Sequence, residues 1–136
     1  MRIAIIILVA TLFGYSSQTP SGKYIAVKLV STHQLSNDSV GHEWENFLSI
    51  NRRIIKKGEK AQFKLVKRAP LIIEAHAIEK DPSYDDHGKS EITFTYSDLI
   101  AIERNRFEVR ISVTENGGQN AGNLAEWMYI FELEKI

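Results

Sequence analysis

The sequence predicts an all-β fold, an antiparallel two-sheet Greek-key sandwich of seven or eight strands, and three observations carry that expectation. Strict apolar/polar alternation dominates the chain. It is cleanest in "FEVRISVTE", where Phe107, Val109, Ile111 and Val113 point one way and Glu108, Arg110, Ser112 and Thr114 the other. The alternating runs are divided by Gly, Asn, Asp, Ser or Pro, the residues of turns. Only "YSDLIAIERN" (96–105) has helical spacing, through Leu99 and Ile102, with Ser97 as its candidate cap.

In chain order, strands are expected at 23–30, 43–50, 62–67, 70–79, 91–96, 107–115 and 127–134. An eighth is expected in "RIIKK", reached from the preceding strand through a tight hairpin at Asn51-Arg52 and ended by Gly58. The count matters because strand direction alternates in an antiparallel sandwich. With eight strands, the loops 36–42, 57–59, 80–89 and 116–123 emerge at one end. With seven, the first of these moves to the opposite end.

Residues 1–17 read as a secretory signal peptide: one cation at Arg2, an apolar run from Ile3 to Phe13, then small residues at Gly14 and Ser16. The run is well short of the ~20 apolar residues of a spanning helix. Cleavage near Ser16 or Ser17 is favoured over an uncleaved anchor, and the expected location is secreted or periplasmic. Residues 18–136 then form a single β-sandwich domain. Without Arg2, 16 Lys plus Arg stand against 17 Asp plus Glu, so net charge singles out no partner and gives no reason to expect nucleic acid. With no Cys, an exported chain of this kind depends on one hydrophobic core.

The densest charge lies in "EKDPSYDD" (79–86), one Glu and three Asp in eight residues. Carboxylates crowded in this way repel one another, so the loop is either fully solvated or built to receive a cation. Ca²⁺ takes six to eight oxygen ligands, and Glu79, Asp81 and Asp85 suit it. Glu79 and Asp81 point the same way at a strand end, and "PSY" lets the chain curl back to bring Asp85 alongside. Asp86 is the alternative to Asp85, and Gly88 frees the backbone to enter the next strand.

In "EKDPSYDDHG" and "IAVKLVSTHQLSNDSVGHEWENFLSI" the chain resembles a C2 domain over residues 23–96. The spacing from Asp85 to Gly88 matches the third calcium loop of that family, with Glu79 in place of its first Asp. The resemblance implies a Ca²⁺-binding end at which Asp38 takes the first acidic position of the opening loop. Glu43 stands where the family has the Asp of its S-D-P-Y segment, although "GHEW" lacks the Asp-Pro-Tyr. It also implies that the basic run "NRRIIKKGEKAQFKLVKR" meets an anionic surface through Arg52, Arg53, Lys56, Lys57, Lys60 and Lys64. A basic strand face kept soluble by its charge is the other reading of that run.

The Gly- and Asn-rich "ENGGQNAGNLAEW" (115–127) reads as a tight loop, and Glu115, Asn116 and Asn120 fall at the acidic end under either strand count. His33, His42, His76 and His87 show none of the usual zinc spacings, so no zinc site is expected. Trp44 and Trp127 read as core anchors. There is no Cys nucleophile, G-x-S-x-G elbow or phosphate loop, and the sequence predicts no enzyme. The leading expectation is an exported, monomeric, Ca²⁺-binding C2-like module that engages an anionic lipid, an envelope polymer or a protein partner. The alternative is a metal-free extracellular interaction or structural module.

Overall fold

The structure is a computed structural model that describes residues 24–136. The signal-peptide reading of 1–17, and the first residues assigned to the domain, lie outside the described residues. Eight strands follow in order: β1 (Tyr24–Asn37), β2 (Trp44–Ile50), β3 (Arg53–Ile55), β4 (Lys60–Lys64), β5 (Leu71–Glu79), β6 (Asp86–Phe94), β7 (Arg104–Thr114) and β8 (Leu124–Lys135). They build two antiparallel four-stranded sheets, ordered β4-β1-β8-β7 and β3-β2-β5-β6. The short helix α1 (Tyr96–Ile100) joins β6 to β7. Thr95, rather than Ser97, caps it, in a reciprocal capping box with Asp98.

The hairpin at Asn51-Arg52 forms as the sequence suggests. Both residues have positive φ, 46° and 73°, and Ile50 pairs with Arg53 across the two-residue turn. This hairpin adds β3 and makes the count eight. Loops 38–43, 80–85 and 115–123 consequently leave the sandwich at one end, since Trp44 pairs with Glu79, Glu79 with Asp86, and Thr114 with Leu124. The 56–59 turn points the same way but stops at half height, where Gly58 N–H donates to the Leu29 carbonyl and Leu29 N–H to Glu59.

Alternation places the core. Leu71, Ile73, Ala75 and Ala77 on β5 meet Val109, Ile111 and Val113 on β7 and Tyr129, Phe131 and Leu133 on β8, all buried. Phe94, Phe107 and Phe131 pack edge-on and stacked near the helix end. At the loop end, Trp44 and Trp127 meet edge-on with ring centroids 5.3 Å apart. The buried Tyr129 hydroxyl donates to the His76 carbonyl and ties one sheet to the other. On the β6–β7 side the sandwich closes tightly, and Ser90 Oγ donates to the Arg110 carbonyl at 2.6 Å.

Two strands run longer than their apolar alternation. β1 continues past Val30 through seven mostly polar residues, carried by pairing with β8 and broken by register shifts after Leu29 and after Gln34. β6 begins at Asp86 rather than at 91, which shortens the acidic loop to 80–85 and makes Asp86 part of the sheet.

Candidate functional site: an acid-capped loop end

The same parity that fills the core with apolar side chains puts a carboxylate at the end of three strands. On β5 the inward series ends in Glu79, on β6 it begins with Asp86, and the series of β7 runs on to Glu115, just beyond the strand. All three are buried, and Asp86 is 0% exposed. The uppermost layer of the core is therefore acidic.

Backbone donors satisfy only part of this charge. Asn116 N–H donates to Asp86 Oδ1 at 3.0 Å, and Gly117 N–H to Glu115 Oε1 at 3.3 Å. Asp86 Oδ2 and Glu79 Oε2 are buried without a hydrogen-bond partner. An unpartnered buried carboxylate oxygen is costly, and a bound cation would relieve that cost. Burial pushes the Glu79 carboxyl above its ordinary value; the Glu43 backbone N–H pulls it back, and Asp81, Asp86 and Glu115 push it further up. Burial also raises Glu115, opposed by the Gly117 N–H and reinforced by the neighbouring carboxylates Asp86 and Asp81.

The loops interlock over this layer. Gly41 lies against Glu79, where a Cβ would fall 2.1 Å from Oε1, and its φ of 141° suits glycine. Its carbonyl accepts from Trp44 Nε1 at 3.1 Å. The Tyr84 hydroxyl rests on Gly117, leaving no room there for a side chain. Outside the buried layer is a polar basin of about 590 Å³ lined by Asn37, Ser39, His42, Asp81, Glu115 and Asn120, among others.

The six residues expected as metal ligands do not act as one group. Glu79 lies close enough to Asp81, Asp86 and Glu115 for their charges to raise its carboxyl, and Glu115 stands outside that set of six. Asp85 turns to the surface, where Lys80 Nζ sits 3.2 Å from it and holds its carboxyl below the ordinary range. The roles of the adjacent pair are thus reversed: Asp86 points inward and Asp85 bonds the exposed lysine. Asp38 is exposed at the loop end, its N–H bonded to the Leu124 carbonyl at 3.0 Å, and Glu43 contributes backbone groups, its carbonyl accepting from Lys80 N–H at 2.7 Å. Among the described residues, no three His, Asp or Glu side chains form a ready-made metal site. Strand parity was the signal for Glu115, because counting inward positions from Val109 reaches it directly.

The basic residues lie elsewhere. Arg52 and Arg53 are exposed at the β2–β3 turn, Lys56 and Lys57 in the half-height turn, and Lys60 and Lys64 on β4. They run along the sandwich edge formed by β3 and β4, with Lys60 3.9 Å from Glu134.

Fold and site together define a C2-like β-sandwich with an acidic loop end. Among solved structures, one of extended-synaptotagmin 2 that holds two of its C2 domains matches over 85% of this chain, with a TM-score of 0.51 and 11% identity. This chain spans 41% of that one, and at such identity the likeness concerns the fold alone. No family model and no curated protein matches the sequence.

Proposed function

We propose that this chain is a non-enzymatic, exported interaction module that takes up Ca²⁺ at its loop end and engages an anionic surface or protein partner. The observation that carries the reading is the pair of partnerless buried oxygens, Asp86 Oδ2 and Glu79 Oε2, in a layer that also holds Glu115 and faces Asp81. Hard oxygen donors of this kind suit Ca²⁺, and the Asn37 and Asn120 amides at the basin wall can add neutral oxygens. A bound cation would remove the mutual repulsion of the carboxylates and fix the three loops relative to one another. The exposed cations from Arg52 to Lys57 supply attraction to anionic headgroups or polymers, about 1 kcal/mol for each residue near the surface.

A second reading has its own support. Burial and the neighbouring carboxylates raise the Glu79 and Glu115 carboxyls, and a layer in which these hold their protons needs no metal. The module would then bind through its loops without Ca²⁺.

Calorimetric titration and melting in chelator against about 5 mM Ca²⁺ decide between them. Extracellular modules bind Ca²⁺ at ~10⁻⁴ to 10⁻³ M, which at that concentration gives ~1–2 kcal/mol and a melting rise of a few degrees. Identical melting in the two buffers would leave the metal-free module as the function. Co-sedimentation with phosphatidylserine vesicles, compared between wild type and Lys56→Ala/Lys57→Ala, tests the basic edge. Loss of binding in the variant is the expected result, and equal binding would remove the edge from the proposal.

A further inference from the structure

His76 on β5 and His87 on β6 are eleven residues apart in sequence, yet the ladder register sets them diagonally adjacent on the outer face of their sheet. Ile78 pairs with His87, and His76 with Lys89. His76 Nδ1 and His87 Nε2 face each other at 2.8 Å, and the ring centroids are 5.1 Å apart. The His76 ring is fixed from two further directions. Phe47, its cross-strand partner on β2, stacks on it with centroids 4.8 Å apart and an interplanar angle of 10°. On the far side of the ring, Glu74 Oε2 stands 3.8 Å from Nε2 and is itself held by Lys89 Nζ at 3.0 Å.

We propose that His76 and His87 form a two-imidazole clamp for a borderline divalent transition ion such as Zn²⁺, with water completing its coordination. The two nitrogens already lie within hydrogen-bond distance of each other. Zn–N bonds of ~2.0–2.1 Å in tetrahedral geometry place two ligating nitrogens about 3.3 Å apart, so the rings need open by only about half an ångström. A carboxylate hydrogen-bonded to the other nitrogen of a ligating His fixes its tautomer and raises its basicity, and Glu74 stands on that side at 3.8 Å, a small movement from making that bond. Loading requires the proton between the facing nitrogens to move, by exchange with water, to the other nitrogen of the ring that carries it, which leaves both facing lone pairs for the ion. With two protein ligands the ion keeps open positions, and binding is weaker than at a closed structural site.

This clamp lies on the outer face of the sheet and is separate from the acidic layer, whose side chains point inward. The test is calorimetric titration of Zn²⁺ into the untagged chain with Ca²⁺ present at millimolar concentration to cover the carboxylates. One Zn²⁺ equivalent is expected for wild type. It should be lost in His87→Ala, an exposed position that should not disturb folding, and also in His76→Ala. Glu74→Gln should weaken binding by roughly tenfold or more. Asp86→Asn should leave the equivalent intact. No uptake by wild type beyond that of His87→Ala would overturn the clamp, and so would uptake that disappears with Asp86→Asn.

Discussion

Glu79 and Asp86 pair directly across the last rung of the β5–β6 ladder, both side chains turned into the sandwich and both buried. Like charges opposite one another in a sheet destabilise it, by roughly 0.2–1 kcal/mol per pair. The sequence places such a pair at the one level where loops rather than strands form the roof. Asn116 N–H meets one Asp86 oxygen, and the other is left without a partner.

Asp86→Asn should therefore stabilise the metal-free fold by about 0.5–1 kcal/mol. The amide keeps an oxygen for Asn116 and adds a donor that Glu79 or Glu115 can accept. The gain should appear as a higher urea midpoint in chelator at unchanged m-value, and any Ca²⁺-dependent rise in melting should be lost. A variant less stable than wild type in chelator would show that the Asp86 charge is compensated already.

Gly88→Ala should destabilise the protein by about 1–3 kcal/mol, the range for overpacking a filled interior. A Cβ at this position would stand 2.4 Å from the Ser112 carbonyl oxygen and 2.7 Å from a Val113 methyl. The nearest obstacle is backbone, so relief requires β6 and β7 to separate, at the expense of the bond from Ser90 to Arg110. Urea unfolding reads the loss directly, and a change below about 0.5 kcal/mol, within the range of surface substitutions, would mean that β6 and β7 can separate at little cost.

Gly88 also shows how far the sequence could be read. Its flexibility was legible, but its purpose was not, because the polar run from Asp86 to Lys89 looks like loop and hides the start of β6. A strand whose inward positions are Asp86, Gly88 and Ser90 gives no apolar alternation, and only the ladder with β5 identifies it. The same holds for β1 beyond Val30, where pairing with β8 replaces burial as the support. Strands with one apolar face, such as β5 and β7, were legible to within a few residues at each end. At the site, the crowding of acid in 79–86 was visible. The choice of Asp86 over Asp85 as the inward residue was not, since it depends on which residue continues the parity of a strand with no apolar signal. The contact between His76 and His87 was equally hidden, because it follows from inter-strand register and leaves no local spacing.

Arg52→Gly should stabilise the domain by about 0.5–1 kcal/mol. Arg52 holds φ at 73° in the second position of the two-residue hairpin, a left-handed conformation that costs roughly 1 kcal/mol for a residue with a Cβ and little for glycine. Asn51 tolerates its own φ of 46°, its N–H donates to the Ile72 carbonyl, and its Oδ1 accepts from Ile72 N–H at 3.0 Å. The substitution completes an Asn-Gly turn without touching that bond, and a higher melting temperature is the expected reading. The greater freedom of glycine in the unfolded chain works against the gain, and a net loss would indicate that the guanidinium has a partner worth more than the strain.

The acidic layer makes stability depend on pH. The Glu79 and Glu115 carboxyls both titrate above 4.5, their value when unperturbed. Between that value and their raised folded values, the folded protein binds more protons than the unfolded chain, so unfolding free energy falls as pH rises. Their contribution is complete below 4.5 and is lost as pH climbs through the folded values. His76 acts in the opposite sense: its proton affinity is lowered from 6.5, so its contribution is present above 6.5 and is lost as pH falls through the lower folded value. The two effects meet on the acid side of neutrality, and the wild-type profile alone would mix them. Glu79→Gln separates them, because it removes one titrating carboxyl from the layer and leaves His76 unchanged. The stability difference between the variant and wild type, followed by urea unfolding in chelator from about pH 4 to about pH 8, should shift steadily in favour of the variant as pH rises above 4.5. A difference that stays constant across that range would mean that Glu79 titrates like a solvated glutamate and that the loop end carries no buried charge for a cation to neutralise.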